Sequence, residues 1–294
     1  MVKKIAFIFY KIIFGLDAIF NKITKRSILI WFKEFIQNDS YKKIKIFKSD
    51  IIFFIPNSIT KWRVDTLFTQ EPETLDWING FNKKDKIIFW DIGANIGLYS
   101  IYNSLKNTNS QTISFEPSTS NLRVLSRNIS INNLQDKIKI FPIALTNKKN
   151  KFLFMKEGQF IEGGALNSFG ENYNFEGKNF ISKMNYTTFG TNINFLIDNN
   201  ILEIPDYIKI DVDGIEHLIL EGGDKYLRNK KIKSISIEIN ENFFEQYKKV
   251  LSIMKKSKFK ILHKKQNENV FNRDRKNKFS KTFNYIFQKD SSLM

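Results

Sequence analysis

Apolar and polar positions change rhythm along the chain. From Met1 to Ile36 the apolar residues Ile5, Ile8, Phe9, Ile12, Ile13, Leu16, Ile19, Phe20 and Ile23 recur at helical spacing with lysines mostly between them, which predicts an amphipathic helix. Lys3, Lys4, Lys11, Asp17, Lys22, Lys25, Arg26, Lys33 and Glu34 interrupt the stretch, so no charge-free run approaches the roughly 18 residues that cross a bilayer. A small-residue cleavage site is also missing, which excludes a secretory signal. Such a basic amphipathic helix has two fates, peripheral membrane contact through residues 1–36 or packing on the rest of the protein, and packing is the expectation. Ile44 to Ile55 alternates well enough for a hairpin, and Glu73 to Ile78 begins a short helix. Residues 1–80 thus read as an N-terminal helical and β-hairpin extension.

From about Asn82 onward, short β-rich apolar runs alternate with helical patterns, the signature of a parallel sheet with crossover helices. Strands are expected at Ile87–Ile92, Thr112–Glu116, Lys137–Phe141, Tyr207–Val212, Ser234–Ile239, Lys258–His263 and Phe283–Gln288. Helices are expected at Asn95–Lys106, at Ser118–Asn132 with Ser118 as N-cap, at about Ile215–Arg228, and after the fifth strand through Lys256. The last two strands have no ordinary crossover helix between them, so the closing pair should be antiparallel. Residues 81–294 therefore form an α/β domain with a seven-stranded, mostly parallel sheet, helices on both faces and its last strand antiparallel. Lys151 to Phe154 reads as an extra edge strand. Lys156 to Lys183, polar and rich in Gly and Asn, reads as a lid with Gly163-Gly164 as its hinge, and Lys264 to Lys281 as a basic surface loop.

The 294 residues include 47 Lys+Arg against 30 Asp+Glu, a net charge of +17, and no cysteine. The missing cysteines exclude a disulfide scaffold, thiolate metal sites and a Cys nucleophile, and fit a reducing compartment. With no signal peptide or spanning helix, the expected location is cytoplasmic, at the inner face of the membrane if the N-terminal helix binds there. A positive surface draws polyanions, nucleic acid or anionic lipid. The excess is nearly all Lys, with only seven Arg, and accompanies abundant Asn, Ile and Phe, a bias that A/T-rich codons also produce.

Candidate chemistry begins at Asp91-Ile-Gly-Ala-Asn-Ile-Gly97, an acid at a strand end and two glycines in the turn into a helix. The spacing lacks the Gly-x-Gly-x-x-Gly that cradles a pyrophosphate, and no Gly-Lys-Ser/Thr follows. Nineteen residues beyond Gly97, Glu116 ends the second strand, where a carboxylate can accept hydrogen bonds from both ribose hydroxyls of a nucleoside. Together these describe a nucleoside cofactor without phosphates, and S-adenosylmethionine fits.

The same turn, with Phe115-Glu-Pro117, Ile143-Ala-Leu145, Ile208-Lys-Ile-Asp-Val-Asp-Gly-Ile-Glu216 and the later Ile237-Glu-Ile239, resembles the FkbM family of S-adenosylmethionine-dependent methyltransferases over about residues 70 to 290. The resemblance implies the class I methyltransferase (Rossmann-like) fold and methyl transfer to a hydroxyl oxygen. Glu71-Pro-Glu-Thr-Leu-Asp-Trp-Ile78 resembles the lead-in of members acting on cell-surface or lipopolysaccharide sugars, which implies a glycan or glycolipid acceptor and a place in polysaccharide biosynthesis. Carried over, Gly93 and Gly97 would line the methionine part of the cofactor, with Asn95 between them also binding the cofactor and Asp91 holding the turn or reaching the amino group through water. Glu116 would bind the ribose, Ile143 and Ala144 the adenine, and Asp211 would organise the cofactor site. Asp213 stands where the family commonly has Glu, one methylene shorter.

A hydroxyl acceptor must lose its proton as the methyl arrives, which calls for a positioned base. Asp213, Asp211 and Glu238, at the ends of the fourth and fifth strands, are the catalytic candidates; helix capping is the alternative role for Asp213 and structural pairing for Glu238. Hard oxygen ligands suit Mg²⁺ or Ca²⁺, but nothing in the spacing demands a metal, and none is expected. His217 is expected at the surface or in a cap, and His263 as structural or solvated. An RNA methyltransferase and a non-catalytic membrane-peripheral binding protein of the same fold are the alternatives, of which nucleic acid is the less favoured partner: no Asn/Asp-Pro-Pro-aromatic motif follows the fourth strand.

Overall fold

The computed structural model describes residues 1–82, 85–266 and 279–290. Helices α1 (Val2–Thr24) and α2 (Leu29–Asn38) precede a hairpin of β1 (Tyr41–Ile46) and β2 (Ser49–Phe54), followed by α3 (Ser58–Asp65) and α4 (Pro72–Asn79). The alternating part begins β3 (Ile87–Ile92), α5 (Leu98–Lys106), β4 (Ser110–Phe115), α6 (Thr119–Ile131), β5 (Ile138–Phe141). An insertion follows, made of β6 (Ala144–Leu145), β7 (Lys151–Glu157), β8 (Ser168–Phe169), β9 (Met184–Thr191) and α7 (Ile193–Asp198). The chain then runs through β10 (Tyr207–Ile210), α8 (Glu216–Glu221), α9 (Asp224–Leu227), β11 (Ser234–Asn240), α10 (Phe244–Lys256), β12 (Phe259–Lys265) and β13 (Thr282–Lys289).

Seven strands pair in the order β12-β13-β11-β10-β3-β4-β5. All neighbours from β11 to β5 are parallel, while β13 runs antiparallel to both β11 and β12. This is the Rossmann-like class I arrangement expected from the sequence, with the last strand reversed. The path moves outward from β3 to β5 and then returns to β10 on the other side of β3. Strand order therefore reverses between β3 and β10, and a crevice opens at their carboxyl ends.

Alternation along β3 sends its side chains to two cores. Ile87 and Phe89 join one apolar cluster with residues of α4, α5 and α6, whereas Ile88, Trp90 and Ile92 join another with residues of α8 and α10. The hairpin is part of the first cluster: Ile46, Phe53 and Phe54 are completely buried beside Val124 and Leu125 of α6. Asn128 of α6, itself fully buried, ties that junction together. Its Oδ1 accepts the Phe54 amide at 2.8 Å, and its Nδ2 donates to the Ile96 carbonyl at 2.9 Å, joining hairpin, helix and glycine turn.

Several local expectations are corrected. The N-terminal helix does not pack on the rest of the protein: α1 ends at Thr24, a second helix follows, and no residue of either is buried. Lys151–Phe154 is no edge of the main sheet but the start of β7, an inner strand of a separate sheet ordered β6-β9-β7-β8. The helix expected over Ile215–Arg228 breaks into α8 and α9 at Gly222-Gly223, where a Cβ on Gly222 would sit 2.2 Å from the Thr146 carbonyl oxygen. Ser118 caps α6 as expected, accepting the Asn121 amide. Most of the basic loop expected at Lys264–Lys281 lies outside the described residues.

Replacing Asn128 by Ala leaves a buried amide and a buried carbonyl without partners, a loss of about 2–4 kcal/mol of unfolding free energy. Denaturant titration measures it, and a loss under about 0.5 kcal/mol would show that the junction does not depend on this side chain.

Candidate active site

The crevice between β3 and β10 is a cleft with an apolar end, lined by Phe115, Ile143, Ala144, Leu145, Met155 and Phe169, and a polar end holding Gly93, Asn95, Glu116, Asn121, Asp211 and Asp213. Gly93 has φ 84°, and a Cβ there would meet the Asp211 carbonyl oxygen at 1.9 Å, so only glycine lets the turn lie against the end of β10. Asn95, at φ 51°, donates its amide to Glu116 Oε2 at 2.7 Å. Glu116 Oε1 accepts the Ser118 amide at 2.8 Å. Burial pushes the Glu116 carboxyl up to about 8 against the pull of these amides.

Two residues of the turn face elsewhere. Gly97, at φ 88°, does not line the described cavities; a Cβ there would come within 2.6 Å of Leu125 Cδ1, so this glycine lets α5 and α6 approach. Asp91 is buried beneath the turn, accepting the Ser100 hydroxyl at 2.5 Å, with its Oδ1 unpartnered. Burial raises its pKa, although Lys209 opposes the rise. Its placement suits holding the turn.

Below the cleft lies a cationic centre that sequence reasoning missed. Lys209 alternates onto the α4 and α5 side of β10, is 2% exposed, and donates to Asp211 Oδ2 at 2.7 Å. Burial works against its charge, but Asp211, Glu71 and Asp91 outweigh burial and raise its pKa. Glu71, at the start of α4, accepts the Tyr99 hydroxyl at 2.8 Å. A lysine inside an otherwise apolar central-strand pattern, Tyr207-Ile-Lys-Ile210, was the signal: such a cation needs buried acids, and Glu71 and Asp91 were the upstream candidates.

The segment expected to be a lid covers the cleft and is pinned from several directions. Arg63 Nε donates to the Gly163 carbonyl at 2.7 Å, Asn95 Nδ2 to the Gly164 carbonyl at 2.8 Å, and Asn57 Nδ2 to the Glu162 carbonyl at 3.0 Å. Asn121 Oδ1 accepts the Gly163 amide at 2.9 Å. Asp213, at φ 63°, accepts the Leu166 amide at 2.6 Å and the Asn167 amide at 3.3 Å. It holds the cover rather than capping α8, where Glu216 takes the Val212 and Gly214 amides instead. Burial and the nearby Asp211 push the Asp213 carboxyl up to about 6.

Beside the cleft a second, open cavity of about 340 Å³ is walled by Glu71, Glu73, Asp211, Asp213 and Glu238, with Arg63 and Trp62 on its rim. That volume lies within the roughly 300–1,000 Å³ of small-molecule sites. The structure thus brings Asp211, Asp213 and Glu238 to one cavity. Glu238 has no hydrogen-bond partner among the described residues, and burial, reinforced by Asp211, Glu71 and Asp213, holds its pKa well above the ordinary carboxylate range. His217, expected at the surface or in a cap, is not at the surface: it is 3% exposed, in the first turn of α8, and packs edge-on against Phe243. His263, on β12, is partly buried. Among the described residues no group of three or more His, Cys, Asp or Glu is arranged to hold a metal ion.

The cleft fits S-adenosylmethionine in donor chemistry. Its apolar end suits adenine, Glu116 suits the ribose diol, and Asp211 suits the α-ammonium of the amino-acid end. Asn95 Oδ1 and Asn167 Oδ1 are buried in its wall without partners, acceptors waiting for a ligand's N–H or O–H groups.

Residues 91–261 match the family model described as the Methyltransferase FkbM domain. No curated protein matches the chain. Among solved structures, it is similar to a methyltransferase FkbM from Methylobacillus flagellatus KT at 15% identity, TM-score 0.41, covering 68% of this chain and 43% of that one. It is also similar to precorrin-6y C5,15-methyltransferase from Geobacter metallireducens GS-15 (13%, TM-score 0.43, 75% and 87%) and a putative rRNA-methylase from Clostridium thermocellum (12%, TM-score 0.45, 76% and 97%).

Glu116→Ala should weaken S-adenosylmethionine binding by about 10- to 100-fold, since hydrogen bonds to a charged group contribute about 1.5–3 kcal/mol. Because the ionised carboxylate is the stronger acceptor, wild-type affinity should rise as pH passes upward through about 8 and stay flat in Glu116→Gln. Calorimetric titration across this window decides; unchanged affinity in Glu116→Ala would remove the ribose role.

Proposed function

The chain belongs to the FkbM methyltransferase family, and within it we propose transfer of the methyl group of S-adenosylmethionine to a hydroxyl oxygen of a sugar, carried on a glycan or a glycolipid. The observation that carries this reading is the acidic cavity beside the cofactor cleft. Its carboxylates accept hydrogen bonds from a polyhydroxylated ligand, and Trp62 on the rim gives a sugar ring an apolar face to rest on. An RNA acceptor is the weaker reading, because a phosphate entering the cavity would meet walls of Glu71, Glu73, Asp211, Asp213 and Glu238. A non-catalytic scaffold of the same fold would have no use for a buried, unpaired carboxylate such as Glu238 in a cavity beside the cofactor cleft.

Bound in the cleft, S-adenosylmethionine supplies a methyl group on a sulfonium, open to in-line displacement. The protein's part is to orient the acceptor and remove its proton. Glu238 is the base in this reading: it is the unpaired carboxylate of the cavity, and its raised pKa matches it better to a hydroxyl proton than an ordinary carboxylate. Asp211 is neutralised by Lys209 and fixed in place, which suits it to orienting rather than proton transfer. Asp213 holds the cover closed through two amides and so keeps water out.

Incubation with labelled S-adenosylmethionine and parallel panels of glycans, glycolipids and RNA tests the acceptor class. Label in the sugar fractions supports the reading, and label confined to RNA overturns it. Glu238→Gln should lower kcat by about 10²–10⁴ while leaving cofactor affinity unchanged. The wild-type rate should rise with pH along a limb above the ordinary carboxylate value of about 4.3. A kcat within threefold of wild type would remove Glu238 as the base.

A further inference from the structure

Helices α1 and α2 carry an apolar surface that nothing else in the described chain buries. Ile8, Ile12, Leu16 and Ile19 are each more than half exposed. At 100° per residue, the α1 residues from Ile8 round to Ile13 fall within one arc of about 140° that contains no charge. Lys4, Lys11 and Lys22 lie along one edge of that arc. At the other edge, Asp17 accepts the Ser27 hydroxyl at 3.0 Å and the Ile28 and Leu29 amides at 2.5 and 3.0 Å. The acid is thereby used to fold α2 back on α1, which makes a helical hairpin and leaves Trp31 and Phe35 exposed on the second helix.

Isolated exposed apolar residues are ordinary, but a continuous face of this size marks a binding surface. Charge selects the occupant. Residues 1–38 hold seven basic side chains against Asp17 and Glu34, and Asp17 is already engaged. A second copy seated on the arc would set two rows of α1 lysines against each other, whereas a negatively charged lipid surface neutralises them. No helix among the described residues is long and apolar enough to cross a membrane, so the fitting geometry is a helix lying in the interface.

We propose that residues 2–38 form an interfacial anchor on an anionic phospholipid bilayer, with the apolar arc of α1 and Trp31 and Phe35 of α2 at the acyl boundary and the flanking lysines among the headgroups. The anchor is joined to the active site. Gln37, in the last turn of α2, accepts Arg123 Nη2 at 3.2 Å, and the same guanidinium pairs with Glu162 of the cleft's cover at 2.6 Å. A hairpin held on a bilayer therefore ends beside the roof of the cofactor cleft, which suits an acceptor presented at a membrane. This inference does not depend on the acceptor assigned above, and its readout involves no methyl transfer.

Co-sedimentation of the full chain with vesicles of phosphatidylcholine alone, and of phosphatidylcholine mixed with phosphatidylglycerol, tests it. Binding should be at least about tenfold tighter to the anionic vesicles, and that preference should vanish in Lys4→Glu/Lys11→Glu/Lys22→Glu. Ile8→Asp/Ile12→Asp/Leu16→Asp should lose vesicle binding by about tenfold or more, while its melting temperature and S-adenosylmethionine affinity, measured on the same preparation, stay at the wild-type values. Equal pelleting of wild type and the Asp variant overturns the proposal, as does failure of the wild type to pellet with either vesicle. A wild type that binds no vesicle but is dimeric where the Asp variant is monomeric would make the face a self-association seam and equally overturn it.

Discussion

The contact between Gly93 and the Asp211 carbonyl is the constraint on which the site rests. Strands β3 and β10 are neighbours in the sheet, and the chain leaves them in opposite directions, so their carboxyl ends border an open crevice. A side chain at residue 93 would overlap the Asp211 oxygen and force the turn away from β10. With glycine there, the turn folds over the end of the sheet and brings its Asn95 amide onto Glu116. The same closeness sets Asp211 at the wall common to both cavities. Glu116, the glycine turn and Asp211 thus share one backbone approach.

Crowding carboxylates around that approach has an electrostatic consequence, answered from underneath. Burial raises the pKa of Glu71, Asp91, Asp213 and Glu238, so an acidic site with no counter-charge would fill with protons and lose its anionic character. Lys209 sits where Glu71 and Asp91 feel it, near the Tyr99 ring at 4.9 Å, and its bond to Asp211 keeps a third carboxylate compensated. Removing one partner of a buried pair strands the other's charge, which is why such clusters tolerate change poorly even when the pair adds little net stability. The three acids therefore differ: Asp211 is fixed by Lys209, Asp213 is occupied with the cover, and Glu238 is left without a hydrogen-bond partner among the described residues.

How much of this the sequence disclosed depended on whether the signal was local. Strand β3 and the N-cap at Ser118 were legible because apolar runs and capping chemistry are written in consecutive residues. The gathering of Asp211, Asp213 and Glu238 was legible because strand ends in an open α/β sheet converge. Roles set by distant partners were not: Gly97 answers to Leu125 across a helix pair, and Asp213 to amides 46 and 47 residues earlier in the chain. Strand β9 was missed because Met184–Thr191 is polar and half-exposed, without the apolar run that marks a central strand. For α1 the helical period was read correctly, but periodicity reports that a face is apolar and says nothing of what covers it.

The distribution of charge connects these observations. A net +17 would ordinarily recommend a polyanionic substrate, yet the cavity beside the cofactor cleft is walled by Glu and Asp. The basic residues of the first 38 positions stand on two helices and the link between them, which project an uncovered apolar face and are joined through Gln37, Arg123 and Glu162 to the cover of the cleft. Positive charge on a long exposed side chain acts at the range of the Debye length, about 8 Å in physiological salt, and so governs where the molecule settles. Negative charge in a recessed cavity acts at hydrogen-bond range and governs what enters. The two signs can be strong together because they are spatially separate, and the separation lets a basic protein keep an acidic site.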